Sequence, residues 1–142
     1  MRGDDETSKG VARPAFHFHV HDEDFWTMML ADDGELITGF MAIPDYFGAV
    51  SDDERRECAC DVSAVCARLP GISPESVAKY FEFWEPSDLK MKAKAYPTDL
   101  HFRGDAWQVW DVMKALGLNF QFDDQGMLVG DRFRLVPKTN LA

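Results

Sequence analysis

No apolar run in the 142-residue chain approaches the roughly 20 residues that a bilayer-spanning helix needs, so no such span, and no membrane partner, is expected. The opening Met1-Arg2-Gly3-Asp4-Asp5-Glu6 lacks the apolar segment of a secretory signal, and the expected compartment is the cytoplasm. Cysteine is scarce. The three present, Cys58, Cys60 and Cys66, form an odd, clustered set that argues against a disulfide framework and fits reduced thiols. The chain also has no Gly-rich phosphate loop, no Gly-x-Ser-x-Gly elbow and no His-Glu-x-x-His, the motifs of the commonest nucleotide, acyl-transfer and zinc chemistries. Basic charge is short: 15 Lys and Arg against 25 Asp and Glu leave a formal charge of −10. Such a field repels a duplex phosphate backbone, so direct nucleic-acid binding is not expected.

Aromatic residues, in contrast, are plentiful. Eleven Phe and four Trp supply enough area for a core, and the length fits one domain. Residues 1–12 read as a polar tail and 13–142 as a single α+β domain. In Phe16-His17-Phe18-His19-Val20-His21, apolar residues alternate with histidines, which predicts a strand with Phe16, Phe18 and Val20 facing a core. That strand is expected over 11–21, with Pro14 marking a sheet edge. Asp22-Glu23-Asp24 is a turn, Phe25–Leu30 a second strand, Asp32-Asp33-Gly34 a turn, and Leu36–Ile43 a third strand. Together they predict an N-terminal three-stranded antiparallel meander.

Three helices and a hairpin follow. Ser51 and Glu54 form a capping box ahead of an apolar stripe at Cys58, Val62, Val65, Cys66 and Leu69. Ser73-Pro74 opens a second helix with its stripe at Val77, Tyr80, Phe81 and Trp84. Asp105 opens a third, with Ala106, Val109, Trp110, Met113 and Leu116 inward, Trp107 outward and Gly117 as the C-terminal cap. Between the last two, Lys90, Lys92 and Lys94 alternate with apolar residues, predicting a strand whose lysines guard an edge or form a contact. Leu100-His101-Phe102 reads as a short strand. Leu118, Phe120 and Phe122, the Asp123-Asp124-Gln125-Gly126 turn and Met127–Val129 predict a C-terminal β-hairpin. This order of helices and hairpin resembles a winged helix-turn-helix. The polar side of its second helix, however, carries Glu75, Lys79, Glu82 and Glu85, which suits protein contact better than a DNA groove.

Two candidate sites emerge. His17, His19 and His21 share one strand face, and neighbours at i and i+2, under about 7 Å apart, could aim at one divalent metal such as zinc. The i, i+4 pair, about 13 Å apart, could not, so further ligands must come from elsewhere. This supports a metal-dependent enzyme or metal-binding protein as the alternative function. The cysteines do not form a zinc knuckle: within a helix a two-residue step turns about 200°, which points Cys58 and Cys60 apart, and Cys58 and Cys66 read as core thiols. The second site joins aromatic residues to acidic pairs: Tyr46, Phe47 and Trp107 with Asp32, Asp33, Asp52, Asp53, Asp123 and Asp124. Exposed aromatics ringed by carboxylates are the composition of a protein-binding hot spot. The favoured expectation is therefore a non-enzymatic inhibitor, immunity-type factor or adaptor that needs no cofactor. It would dock on a basic surface of a larger protein, for example a nucleic-acid-processing enzyme. A homo-oligomer formed through a sheet edge is a third expectation.

Overall fold

Asp33 and Gly34 both take positive φ (54° and 84°), as a tight two-residue hairpin turn requires. They join β2 (Phe25–Asp32) to β3 (Glu35–Met41) with Asp32 opposite Glu35. The computed structural model describes residues 14–118. Within it β1 (Pro14–His21) pairs antiparallel with β2 and gives a sheet of order β1-β2-β3. The expected meander is thus observed, with Pro14 at the start of an edge strand. The β1–β2 turn places Asp22 and Glu23 at positive φ (50° and 60°), and Asp24 N–H donates to the His21 carbonyl at 2.7 Å. The tail over 1–12 and the C-terminal hairpin beyond Leu118, including Asp123 and Asp124, lie outside the described residues.

Pairing aligns the apolar sides of all three strands. Phe16 faces Leu30, Phe18 faces Met28, Val20 faces Trp26, and Met28 faces Phe40. Trp26 and Leu30 are fully buried in the core that forms on this face. The Trp26 ring lies 5.0 Å from Phe40 and 5.8 Å from Phe81. Completely burying one such side chain is worth about 1.5–3 kcal/mol, so this face dominates the fold's stability.

The helical half departs from expectation because backbone groups find partners outside helices. The predicted helix over 51–69 is two short ones, α1 (Asp52–Glu57) and α2 (Val62–Cys66). The capping box at Ser51 and Glu54 is present. The Cys58 carbonyl, however, accepts from Met41 N–H, and Asp61 N–H donates to Thr38 Oγ1, so the chain leaves the helix to finish the sheet edge. As a result Cys60 and Cys66 pack against the core, rather than Cys58 and Cys66.

The predicted helix over 73–84 is two 3₁₀ turns, Pro74–Ser76 and Ala78–Phe81, broken at Val77. Its apolar residues Val77, Tyr80, Phe81 and Trp84 are all buried as expected. Lys79 N–H donates to the Tyr96 hydroxyl and Trp84 N–H to the Ala42 carbonyl, which replaces helical bonding. The second helix of the expected order therefore does not form as one continuous helix.

The lysine segment is not a strand. α3 (Asp88–Met91) ends at Lys92, which takes a left-handed conformation at φ 49°. Residues 100–102 are not a strand either, because the buried Asp111 carboxylate accepts Leu100 and His101 N–H at 3.0 and 2.8 Å.

The last helix, α4, spans Gln108–Ala115 and is followed by Gly117 at φ 76°, the expected cap. Its inward face is Gln108, Val109, Asp111, Val112 and Met113. Trp110, expected inward, is 40% exposed, whereas Trp107 is half-buried. The rotation follows from two polar residues that point inward: Asp111 holds the 100–101 amides, and Gln108 Oε1 accepts from Trp26 Nε1 at 3.0 Å.

Two predictions test these features. Glu23→Gly should raise unfolding free energy by about 0.5 kcal/mol: relief of about 1–2 kcal/mol of left-handed strain is partly offset by about 0.4–1 of added unfolded-state freedom. Gly34→Val should lower it by more than about 1 kcal/mol. Urea unfolding measures both. The second concerns Arg103, whose guanidinium pairs with Asp88 (3.2 Å) and Glu82 (3.3 Å) and donates to the Phe83 carbonyl. Burial alone would raise the Asp88 carboxyl, but Glu85 N–H and Arg103 outweigh it and hold it below its ordinary 3.8. The stabilisation is therefore present above about pH 4 and is lost as pH falls through the lowered folded value. Asp88→Asn should cost about 2–3 kcal/mol at neutral pH, with the gap to wild type closing in acid.

Candidate functional site: an aromatic cluster rimmed by acids

The register that builds the core also builds a site on the opposite face. His21 lies opposite Phe25, and Ala42 N–H donates to the Trp26 carbonyl, so the chain leaving β3 emerges beside the β1–β2 turn. Loop 45–48 then folds back, with Tyr46 N–H donating to the Ile43 carbonyl and Gly48 N–H to that of Asp45. Four rings meet there. His21 lies 5.4 Å from Phe25, 5.4 Å from Tyr46 and 5.1 Å from Phe47, and Phe25 lies 4.7 Å from Tyr46.

Burial separates cover from surplus. Phe25 is only 1% exposed and belongs to the core cluster, although strand alternation sets it on the side opposite Trp26, and Tyr46 at 36% is a large part of its cover. Phe47 stays 72% exposed, so little of its area is removed from water and folding stability is a poor reason for a Phe there. Asp22, Glu23, Asp24 and Asp45 are all exposed around the cluster. Asp24 Oδ2 accepts the Tyr46 hydroxyl at 2.5 Å, and His21 Nε2 stands 3.3 Å from Asp22 Oδ2. The hydrogen bond to Asp24 raises the Tyr46 phenol above its ordinary value, which keeps it a neutral donor.

The other expected site residues distribute unevenly. Tyr46 and Phe47 are at the cluster. Asp52 and Asp53 open α1 a few residues downstream, where Asp53 pairs with Arg56. Asp32 and Asp33 lie at the far end of β2, about 23 Å away by strand rise. There the Asp32 carboxylate accepts from Arg68 Nε at 2.8 Å. Trp107 packs beside Trp110 at the start of α4, with ring centroids 5.2 Å apart and the planes tilted by 56°. His17 and His19 are exposed on the sheet's outer face, with the His19 and His21 rings 6.0 Å apart. Among the described residues no group of three or more His, Cys, Asp or Glu converges closely enough to hold a metal.

Sequence reasoning missed His21, Asp22, Asp24 and Phe25 as members of the aromatic site. The signal was available in the meander itself, because an antiparallel third strand must end beside the start of the second.

No protein-family model, characterised protein or solved structure matches the chain.

The cysteines stand apart from this surface. Burial pushes the Cys60 thiol up to about 12, against the Thr38 hydroxyl and with the help of Asp61; burial also raises Cys58 and Cys66. On the order of one Cys60 in ten thousand is then thiolate at pH 8. Thiol labelling of the native protein should be slow and slowest at Cys60, becoming uniform in urea. Fast native labelling of Cys60 would contradict this placement.

Proposed function

We propose that this protein is a non-enzymatic binding factor, of the inhibitor, immunity-type or adaptor kind, that docks through its acidic aromatic end on a basic surface of a larger protein. The observation that carries the reading is Phe47, 72% exposed yet seated on Tyr46 and His21. An aromatic anchor on a packed base with a charged rim is the anatomy of a binding hot spot. The rim of Asp22, Glu23, Asp24 and Asp45 selects Lys and Arg on the partner. If that partner processes nucleic acid, these carboxylates compete with phosphates for the same cations.

The alternative is a divalent metal on the histidine face. It is supported by the His19–His21 ring separation of 6.0 Å and needs ligands beyond that pair. Elemental analysis of untagged protein tests it. Stoichiometric metal that disappears in His19→Ala would favour this reading over docking.

For the docking reading, the expected result is that Phe47→Ala weakens capture of the partner from host lysate at least tenfold, about 1.4 kcal/mol, while unfolding free energy changes by less than about 1 kcal/mol. Raising salt from about 0.1 to 0.5 M should weaken wild-type capture as well. Capture indifferent to both Phe47→Ala and salt would contradict the proposal.

A further inference from the structure

The lysine segment is, among the described residues, a basic cluster to which the fold gives no ion-pair partner. Among the described residues all four arginines are committed to carboxylates: Arg55 to Glu85, Arg56 to Asp53, Arg68 to Asp32, and Arg103 to Asp88 and Glu82. Lys90, Lys92 and Lys94 are exposed within five residues, and none has an ion-pair partner among the described residues. They do not lie on a strand, so edge protection does not account for them.

Large apolar side chains accompany the lysines. Met91, between two of them, is 68% exposed. Arg103 N–H donates to the Ala93 carbonyl at 2.8 Å and ties this segment to the one carrying Leu100 (77% exposed) and Phe102 (37%). Lys92 also occupies a left-handed C-cap, where glycine costs less. A lysine there runs against the local backbone preference.

We infer that this basic, apolar strip receives the acidic aromatic end of a second copy of the chain, head to tail. The inference rests on reading the acidic aromatic end as a docking surface, and it names one basic surface which that end fits. The complementarity is twofold. Asp22, Glu23, Asp24 and Asp45 match Lys90, Lys92 and Lys94 in sign, while Phe47 offers an anchor to Met91, Leu100 and Phe102. The two surfaces lie on different elements, and no ion pair joins them among the described residues, so one copy does not satisfy itself. A contact between unlike surfaces is heterologous and leaves one surface of each kind free at the ends, which propagates into a ring or a chain. The net charge of −10 opposes close approach of two copies at very low salt. At about 0.1 M the Debye length of about 10 Å screens that repulsion beyond contact range and leaves contacting pairs effective.

Light scattering and sedimentation of the full chain test this directly. At 0.1 M salt the average mass should rise above the monomer with concentration and return to it towards 1 M. Phe47→Ala alone and Lys94→Glu alone should each stay monomeric. An equimolar mixture of the two should form dimers and nothing larger, because each variant keeps the surface that the other has lost. Lys92→Gly should raise thermal stability yet weaken association at least threefold, separating a contact role from a folding role. A wild-type chain that stays monomeric at every concentration at 0.1 M would overturn the inference, while capture of another protein through Phe47 would still stand. Failure of the mixture to associate would overturn it equally.

Discussion

Trp26 is the residue on which the two halves of the molecule meet. Its ring is fully buried against Phe40 and Phe81, and its indole N–H donates 3.0 Å to Gln108 of α4. That bond spans 82 residues and joins the sheet to the last described helix. A buried neutral hydrogen bond contributes only about 0.5–1.5 kcal/mol net, but a donor left without its acceptor costs about 1–3. The bond therefore constrains the rotation of α4 more than it adds stability. With Gln108 turned inward, Asp111 is carried inward as well and organises the 100–101 loop, while Trp110 turns to the surface. The amide nitrogen of Gln108 and the indole nitrogen of Trp84 are buried without acceptors among the described residues, so this polar seam is costly as well as specifying.

The sheet was legible in the residues because its information is local. Period-two alternation at Phe16–His21 and an Asp-Gly pair between apolar runs determine the strands, their turn and the face each presents. The helices were legible only as lists of buried residues. Val77, Tyr80, Phe81 and Trp84 were correctly placed inside, yet they sit on 3₁₀ turns, because Tyr96 and Ala42 compete for the backbone of that segment. In α4 a hydropathy stripe misjudged the face, since Gln108 and Asp111 are polar residues with buried partners. The strict alternation at Lys90–Lys94 mimicked a strand where Asp88, clamped by Arg103, nucleates a helical turn.

The functional surface was half legible for a related reason. Tyr46 and Phe47 were recognisable as aromatics in a loop, but their neighbours His21, Asp22, Asp24 and Phe25 come from about 20 residues earlier and are assembled only by strand pairing. The same pairing separates Asp32 and Asp33 from them by the length of β2. One sheet therefore presents a dry face to the core and, at one end of its other face, a partly covered aromatic group among carboxylates. Charge follows the same division: among the described residues the four arginines are paired within the fold, while Asp22, Glu23, Asp24 and Asp45, and on another element Lys90, Lys92 and Lys94, stay exposed.

If Phe47 is the point of contact, a photo-reactive phenylalanine analogue at position 47 should form adducts of defined mass when the protein is illuminated in cells of its own host. The matching control is the same analogue at Leu36, which is 48% exposed near the opposite end of the sheet. The expected result is adducts from position 47 and none above background from position 36. No adduct at 47, or equal yields at both positions, would contradict the assignment of this end of the sheet as the docking surface.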